Sequence, residues 1–264
     1  MKSFMTFLAT FLLTFLAGAA DPAVPDLLQA VSVTIKTDHG SGSGIVIARK
    51  NDKGETVNFV WTAAHVISDL RREREVILSG SKKTVVEFGT PDIFSQLVED
   101  GETVGQSTLQ AQVIKYSPPE VGEDLALLRI IRKNAVMAGA RFYSEVKPPA
   151  LGTDIYHCGS MGGSFASNSL TSGIYSFTGR MIEQKTFDQV SAGAWFGSSG
   201  CGIFLKADGR CVGMVQQKGK SDSLILIKPA RVIRKWAEEN KVLWAFDEKE
   251  KMPTDAELKK LSLE

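Results

Sequence analysis

Val57-Asn-Phe-Val-Trp61-Thr-Ala-Ala-His65-Val66 is the stretch on which the reading of this chain turns. Four of its first five residues are β-branched or aromatic, the composition of a strand pressed against packed neighbours. Ala63 and Ala64 then lead into a histidine, and their small side chains leave room for its ring to lie against another segment. Runs of the same texture recur at Val31–Ile35, Gly44–Ala48, Val76–Leu78 and Thr84–Phe88. They return at Ala111–Ile114, Leu125–Ile130, Asp154–Tyr156, Gly173–Phe177, Gly202–Leu205, Val212–Val215 and Ser223–Ile227, punctuated by Gly, Asp, Asn and Ser. Short strands at regular spacing with turn signals between them predict an all-β chain of barrels or sandwiches.

Three segments depart from that texture. Lys133–Pro149 carries Pro148-Pro149 and no clean period, as expected of a crossing between two β halves. Pro91–Gln110 is polar and reads as a long surface insertion. After Ile227 a helix is expected, with Pro229 at its start and Val232, Ile233, Trp236 and Ala237 on one apolar stripe. The charged tail 247–264 holds Thr254 and Glu257 at capping-box spacing, the signature of a short last helix.

The first twenty residues have the layout of an export signal: Lys2, an uncharged run from Phe4 to Leu16, then Ala17, Gly18, Ala19 and Ala20 before Asp21-Pro22. That apolar run is short for a membrane span, and no later segment is long enough for one. Without Lys2 the formal charge falls from +1 to 0, so nothing invites nucleic acid or an acidic membrane. Three cysteines, Cys158, Cys201 and Cys211, are too few for a disulfide scaffold, and one of them stays unpaired in a monomer.

Chemistry enters through three distant blocks. Beside His65 stand Gly122-Glu-Asp124-Leu-Ala-Leu-Leu128 and Gly197-Ser-Ser199-Gly200. A serine hydroxyl is a weak nucleophile until a neighbouring base takes its proton. An imidazole with a pKa near 6.5 suits that work, and a carboxylate on its far nitrogen fixes the tautomer. His65, Asp124 and Ser199 are the candidates for base, orienting carboxylate and nucleophile. The glycines flanking Ser199 permit torsions that turn the amides of Gly197 and Ser199 toward one oxyanion, a stabilisation on the order of 3 kcal/mol per donor. Other chemistries fail on spacing. Around Ser199 the last position of Gly-x-Ser-x-Gly is Cys201. Gly40-Ser-Gly42-Ser-Gly44 lacks the third glycine and the helix of a dinucleotide site. His39, His65 and His157 have no metal-ligand spacing, so no metal or cofactor is expected, and His39 and His157 read as ordinary polar residues.

From Ser41 to Lys235 the chain resembles the trypsin-like, chymotrypsin-fold serine peptidases, most nearly the protease domain of HtrA-type envelope proteases. Gly42-Ser-Gly44-Ile-Val-Ile is similar to that family's opening strand, Thr62-Ala-Ala-His65-Val to its histidine block and Gly122-Glu-Asp124-Leu-Ala-Leu-Leu-Arg-Ile to its aspartate strand. Gly159-Ser-Met-Gly162 with Leu170-Thr-Ser-Gly173-Ile resembles the strand pair before the nucleophile, and Gly197-Ser-Ser199-Gly200 the serine block. The resemblance implies two six-stranded antiparallel β-barrels with the triad in the cleft between them and a C-terminal helix. It places barrel 1 at about 28–132, barrel 2 at about 150–228 and the helix at 229–246, inside a protease domain of 21–246 that follows a signal peptide of 1–20. It implies an exported endopeptidase, periplasmic or extracellular, acting on proteins or peptides through an acyl-enzyme. A dormant member of the fold serving as a binding module is the rival.

Departures carry their own expectations. Ser198 stands where zymogen-type members carry an aspartate that receives a new amino terminus, so no activating cut is implied. Cys201-Gly202 replaces the usual Gly-Pro and sets a side chain against the nucleophile turn. The same resemblance implies that Gly193 falls at the base of the primary specificity pocket, with Ala194 and Phe196 beside it and no carboxylate nearer upstream than Asp188. Cleavage after small or medium apolar residues follows, with a glutamate-selective pocket as the lesser alternative if Lys218 contributes charge. Gln216, Gln217 and Lys218 would pair with substrate backbone. A hairpin turning at Ala207–Arg210 would set Cys201 roughly 16 Å from the partner of Cys211, beyond disulfide reach. In the family fold Cys158 approaches the nucleophile turn, which implies a Cys158–Cys201 bridge.

Overall fold

The structure is a computed structural model that describes residues 24–78, 81–99, 102–163, 166–218 and 224–264. The expected signal sequence lies outside them. Two closed antiparallel barrels carry the fold. The first runs in the order β1 (Ser32–Lys36), β2 (Ser41–Lys50), β3 (Thr56–Thr62), β8 (Leu125–Ile130), β7 (Glu102–Ser117) and β6 (Asp92–Glu99). The second runs β10 (Ala166–Ile182), β11 (Lys185–Val190), β14 (Ile225–Pro229), β13 (Cys211–Lys218), β12 (Gly202–Leu205) and β9 (Asp154–Met161). A separate ribbon pairs β4 (Arg71–Leu78) with β5 (Ser81–Phe88). Helices α1 (Val24–Ala30), α2 (Ala230–Glu239) and α3 (Asp255–Leu258) complete the chain.

The opening stretch does not alternate because both faces of β3 are covered. Val60 points into barrel 1 with Val33, Ile35 and Val46. Val57, Phe59 and Trp61 face the other way, into a cluster with Phe142, Trp236, Trp244 and Phe246. Rings of Trp61 and Trp236 meet edge-on at 5.8 Å, those of Phe59 and Trp244 at 4.7 Å, and the Trp61 indole donates to the Ala245 carbonyl at 2.8 Å. Such edge-to-face pairs add to simple area burial. β8 divides likewise, with Leu125 and Leu127 on the helix side and Ala126 and Leu128 inside the barrel. Barrel 2 closes over Ile155, Tyr175, Val190, Cys201, Ile203, Val212 and Ile227.

The polar segment read as an insertion is barrel wall. Pro91–Gln110 forms β6 and the first part of β7, with Ile93 opposite Leu109 and both side chains buried. Polar residues of a half-buried strand point outward, so a low apolar count concealed a period of two. The β4–β5 ribbon, by contrast, stands outside both barrels, with Arg74 paired to Glu87 on its surface. The charged tail docks. Thr254 and Glu257 form the capping box, Leu258 is buried, and the Leu263 carbonyl accepts from the Tyr116 amide at 2.7 Å.

Candidate active site

β3 and β8 are antiparallel neighbours with Thr62 opposite Ala126, so the end of one strand lies beside the start of the other. His65 follows β3 in a 3-10 turn over Ala64–Leu70, and Asp124 is the residue before β8. That pairing alone brings them together. The Asp124 carboxylate receives two bonds from the same histidine: the backbone amide at 2.9 Å and Nδ1 at 2.8 Å. Its own carbonyl accepts from the Ala64 amide at 3.2 Å and from the Gln216 side-chain amide at 3.0 Å. Asp124 adopts a left-handed φ of 56°, which Asp tolerates better than most residues. With Nδ1–H directed at the carboxylate, Nε2 is the imidazole's acceptor nitrogen. The histidine side chain is 35 % exposed against 16 % for the aspartate, so the ring is partly open to solvent while its partner is more screened.

Ser199 comes from barrel 2 and is fixed against the histidine segment through its backbone. Gly197 and Gly200 hold φ of 93° and 85°, conformations that require glycine here. A Cβ on Gly200 would collide with the Ser43 carbonyl oxygen and the Thr62 hydroxyl, three residues before His65. A Cβ on Gly42 would lie 2.6 Å from Val66 and 3.1 Å from the Ser199 carbonyl oxygen. The histidine and serine blocks therefore both pack against the start of β2. Ser43 staples them: its amide donates to the Ser199 carbonyl at 2.8 Å and its hydroxyl to the Gly197 carbonyl at 2.7 Å, while its carbonyl accepts from the Thr62 hydroxyl at 2.8 Å. Nothing in the sequence motif gave Ser43 a role; its bonds to both blocks are a tertiary fact.

Between Gly197 and Cys201 the amides of Ser198, Gly200 and Cys201 donate to Trp195, Val215 and Ser198 carbonyls. The amides of Gly197 and Ser199 have no acceptor among the described residues. Ser198, buried, accepts from the Trp195 amide at 3.1 Å and donates to the Ser160 carbonyl at 3.3 Å. Its hydroxyl thus braces the turn from inside.

Around this turn, Gly193 is exposed, and its carbonyl accepts from the Thr171 hydroxyl at 2.7 Å; Ala194 is buried and Phe196 projects into solvent. Gln216 is buried and engaged with the Asp124 loop, whereas the exposed Gln217 pairs with Leu226 and Lys218 closes β13 opposite Ile225. Asp188 is committed elsewhere. It is fully buried in a two-pronged ion pair with Arg231 at 2.5 and 2.7 Å, and it accepts from the Gly179 amide and the Tyr175 hydroxyl.

The implied Cys158–Cys201 bridge is not formed; all three cysteines are free and buried. Cys158 pairs across β9 and β12 with Gly202, not Cys201, and joins the inter-barrel cluster, while Cys201 points into barrel 2. Neighbouring positions on a strand face opposite ways, so the two sulfurs lie on different sides. Room for Cys201 comes from Gly159, whose missing Cβ would strike the Cys201 side chain. That glycine relieves the expected crowding at the serine turn. Cys211 pairs with Phe204 rather than near Lys206, the register shifting between Ile203 and Phe204. Burial drives the Cys158 thiol up to about 11 and the Cys211 thiol up to about 12. His157 is no ordinary polar residue either. It is fully buried in barrel 2, neither ring nitrogen has a partner among the described residues, and burial presses its pKa down to about 4. His39 is exposed.

A family model for the trypsin-like peptidase domain matches residues 42–214, about two-thirds of the chain and all three blocks. Solved structures share the fold at low identity. Deg5 superposes with a TM-score of 0.58 at 17 % identity, over 85 % of this chain and 94 % of that one. An inactive form of Rv3671c from M. tuberculosis H37Rv gives 0.55 at 18 %, over 84 % and 94 %. The serine endoprotease from Yersinia pestis gives 0.58 at 16 %, over 84 % and 66 %. No curated protein matches in sequence. Among the described residues no helix is long and apolar enough to cross a membrane, and no cluster of His, Cys, Asp or Glu could hold a metal ion.

Proposed function

The chain belongs to the trypsin-like peptidase family, and from that premise we propose that it is a serine endopeptidase working through His65, Asp124 and Ser199. The observation that carries this is the pair of bonds from one carboxylate to one histidine, 2.9 Å to its amide and 2.8 Å to Nδ1. Asp124 holds the tautomer in which Nε2 accepts a proton. In the proposed cycle Ser199 Oγ attacks the scissile carbonyl carbon, and its proton passes to His65 Nε2. Asp124 stabilises the imidazolium, and the amides of Gly197 and Ser199 receive the oxyanion. His65 then returns the proton to the leaving amine, the C–N bond breaks, and water hydrolyses the acyl-Ser199 ester by the same route.

The internal anchoring of Ser198 supports a site that forms without an activating cut. The commitment of Asp188 to Arg231 supports selection of small or medium apolar residues rather than lysine or arginine. Lys2 and the uncharged run that follows support export to the periplasm or beyond. Fluorophosphonate labelling tests the proposal. The mature protein should label at Ser199, and Ser199→Ala should lose labelling and on the order of 10⁶ in turnover. A folded wild-type protein that refuses the probe would leave the dormant binding module instead, and equal labelling of both proteins would place the nucleophile elsewhere.

A further inference from the structure

One fully buried charge near the site has no part in the cycle above. Lys228, on β14 of the second barrel, is 0 % exposed, yet its ammonium sits 2.7 Å from Glu123 Oε2 and 4.5 Å from the centre of the Phe187 ring. Glu123 is the residue before Asp124 and belongs to the first barrel's loop. Removing an ammonium from water costs several kcal/mol, which only a close partner offsets. Burial pulls the Lys228 pKa down, and Glu123 opposes that.

The loop is held on both sides of its strained residue. On one side the Glu123 amide donates to the Ser117 hydroxyl at 2.7 Å and the Gly122 amide to the Pro118 carbonyl at 2.8 Å. On the other, Ala64 and Gln216 hold the Asp124 carbonyl. The His65 amide also holds the Asp124 carboxylate, and the Glu123 side chain adds a tie of another kind by reaching across to Lys228 on the second barrel. We propose that the Lys228–Glu123 ion pair is a positioning device for Asp124, a pin from the second barrel that holds the carboxylate against His65. It acts through Asp124 and touches no substrate. It also makes the alignment of the base depend on the docking of one barrel against the other. The consequence for turnover rests on the peptidase reading above; the consequence for the His65–Asp124 bond does not.

The test is the double variant E123Q/K228M in the full chain, because replacing both members of the pair with neutral groups of similar size is tolerated far better than stranding the buried Lys228 ammonium, whose partner Glu123 is 37 % exposed. Three readouts decide. Near-UV circular dichroism should keep its native form. The low-field proton resonance of the His65 Nδ1–H···Asp124 bond, assigned with His65→Ala, should vanish or move upfield. On a peptide substrate kcat should fall about 10²-fold with KM within about twofold, the penalty of misplacing a catalytic group. A folded double variant with the resonance and kcat unchanged would overturn the proposal. So would loss of the near-UV signal, since the pair would then serve the barrel interface rather than the carboxylate. A wild-type spectrum without the resonance would remove the bond that the pin serves and overturn it too. A wild type that shows the resonance and its loss in the variant, but never labels with fluorophosphonate, would sink the peptidase reading and leave the pin standing.

Discussion

Replacing His157 with leucine should free this protein from a specific part of its acid sensitivity. His157 faces the interior of barrel 2, opposite Ile203 on one neighbouring strand and Thr171 on the other, with no exposure and no partner for either ring nitrogen among the described residues. Burial lowers its pKa from 6.5 to about 4, so the native state keeps the ring neutral where the unfolded chain takes up a proton. Between those two values the unfolded state binds more protons, and stability therefore falls as pH falls. The contribution is fully present above pH 6.5 and is lost progressively toward pH 4. A gap of about 2.5 pH units at about 1.4 kcal/mol each amounts to about 3 kcal/mol, and about 2 of these are gone by pH 5. That is a large share of a typical unfolding free energy. Urea unfolding followed by tryptophan fluorescence at pH 7, 5 and 4 supplies the measurement. Carboxylates with lowered pKa, such as Glu87 and Glu145, also weaken the fold in acid, but they do so equally in both proteins. The difference between His157→Leu and wild type isolates the imidazole. It should grow in favour of the variant by about 3 kcal/mol from pH 7 to pH 4. Parallel stability curves would refute the reasoning, since they would mean that the ring takes up its proton as readily inside the barrel as outside it.

Two further outcomes follow from the packing. All three cysteines should resist a thiol reagent such as DTNB in the native protein and all three should react after denaturation, because each is buried with its thiol pKa raised; a rapid native titration of Cys201 would contradict its burial beside the nucleophile turn. Gly200→Ala should destabilise by about 3 kcal/mol or more and abolish labelling at Ser199, since the new methyl meets the Ser43 carbonyl and the φ of 85° is strained for alanine. A variant with wild-type melting and labelling would show that the turn tolerates a side chain.

Much of the fold was legible along the chain because strands announce themselves locally. Val57–Trp61 and Leu125–Ile130 read as strands from β-branched and apolar composition, and the structure explains their unbroken hydrophobicity by burial on two faces. Pro91–Gln110 misled for the converse reason: one buried residue in two, Ile93 against Leu109, suffices to close a barrel, while the outward residues dominate the composition. The disulfide expectation failed on orientation. Cys158 and Cys201 are near in the fold but lie on opposite faces of the sheet, and side-chain direction depends on a register that separation along the chain does not reveal.

Taken alone, the order of residues specified the strand-rich architecture, the family, and the three blocks that hold histidine, aspartate and serine. Those properties reside in local patterns: torsional preferences, turn glycines and small residues next to a functional one. Tertiary structure alone decided that Ser43 staples the serine turn to the histidine segment, that Gln216 holds the Asp124 backbone and that Asp188 is taken up by Arg231. It alone paired Lys228 with Glu123 of the aspartate loop. Each of these is a bond between groups on separate strands, made where two barrels close and meet, and no local pattern encodes which strands become neighbours.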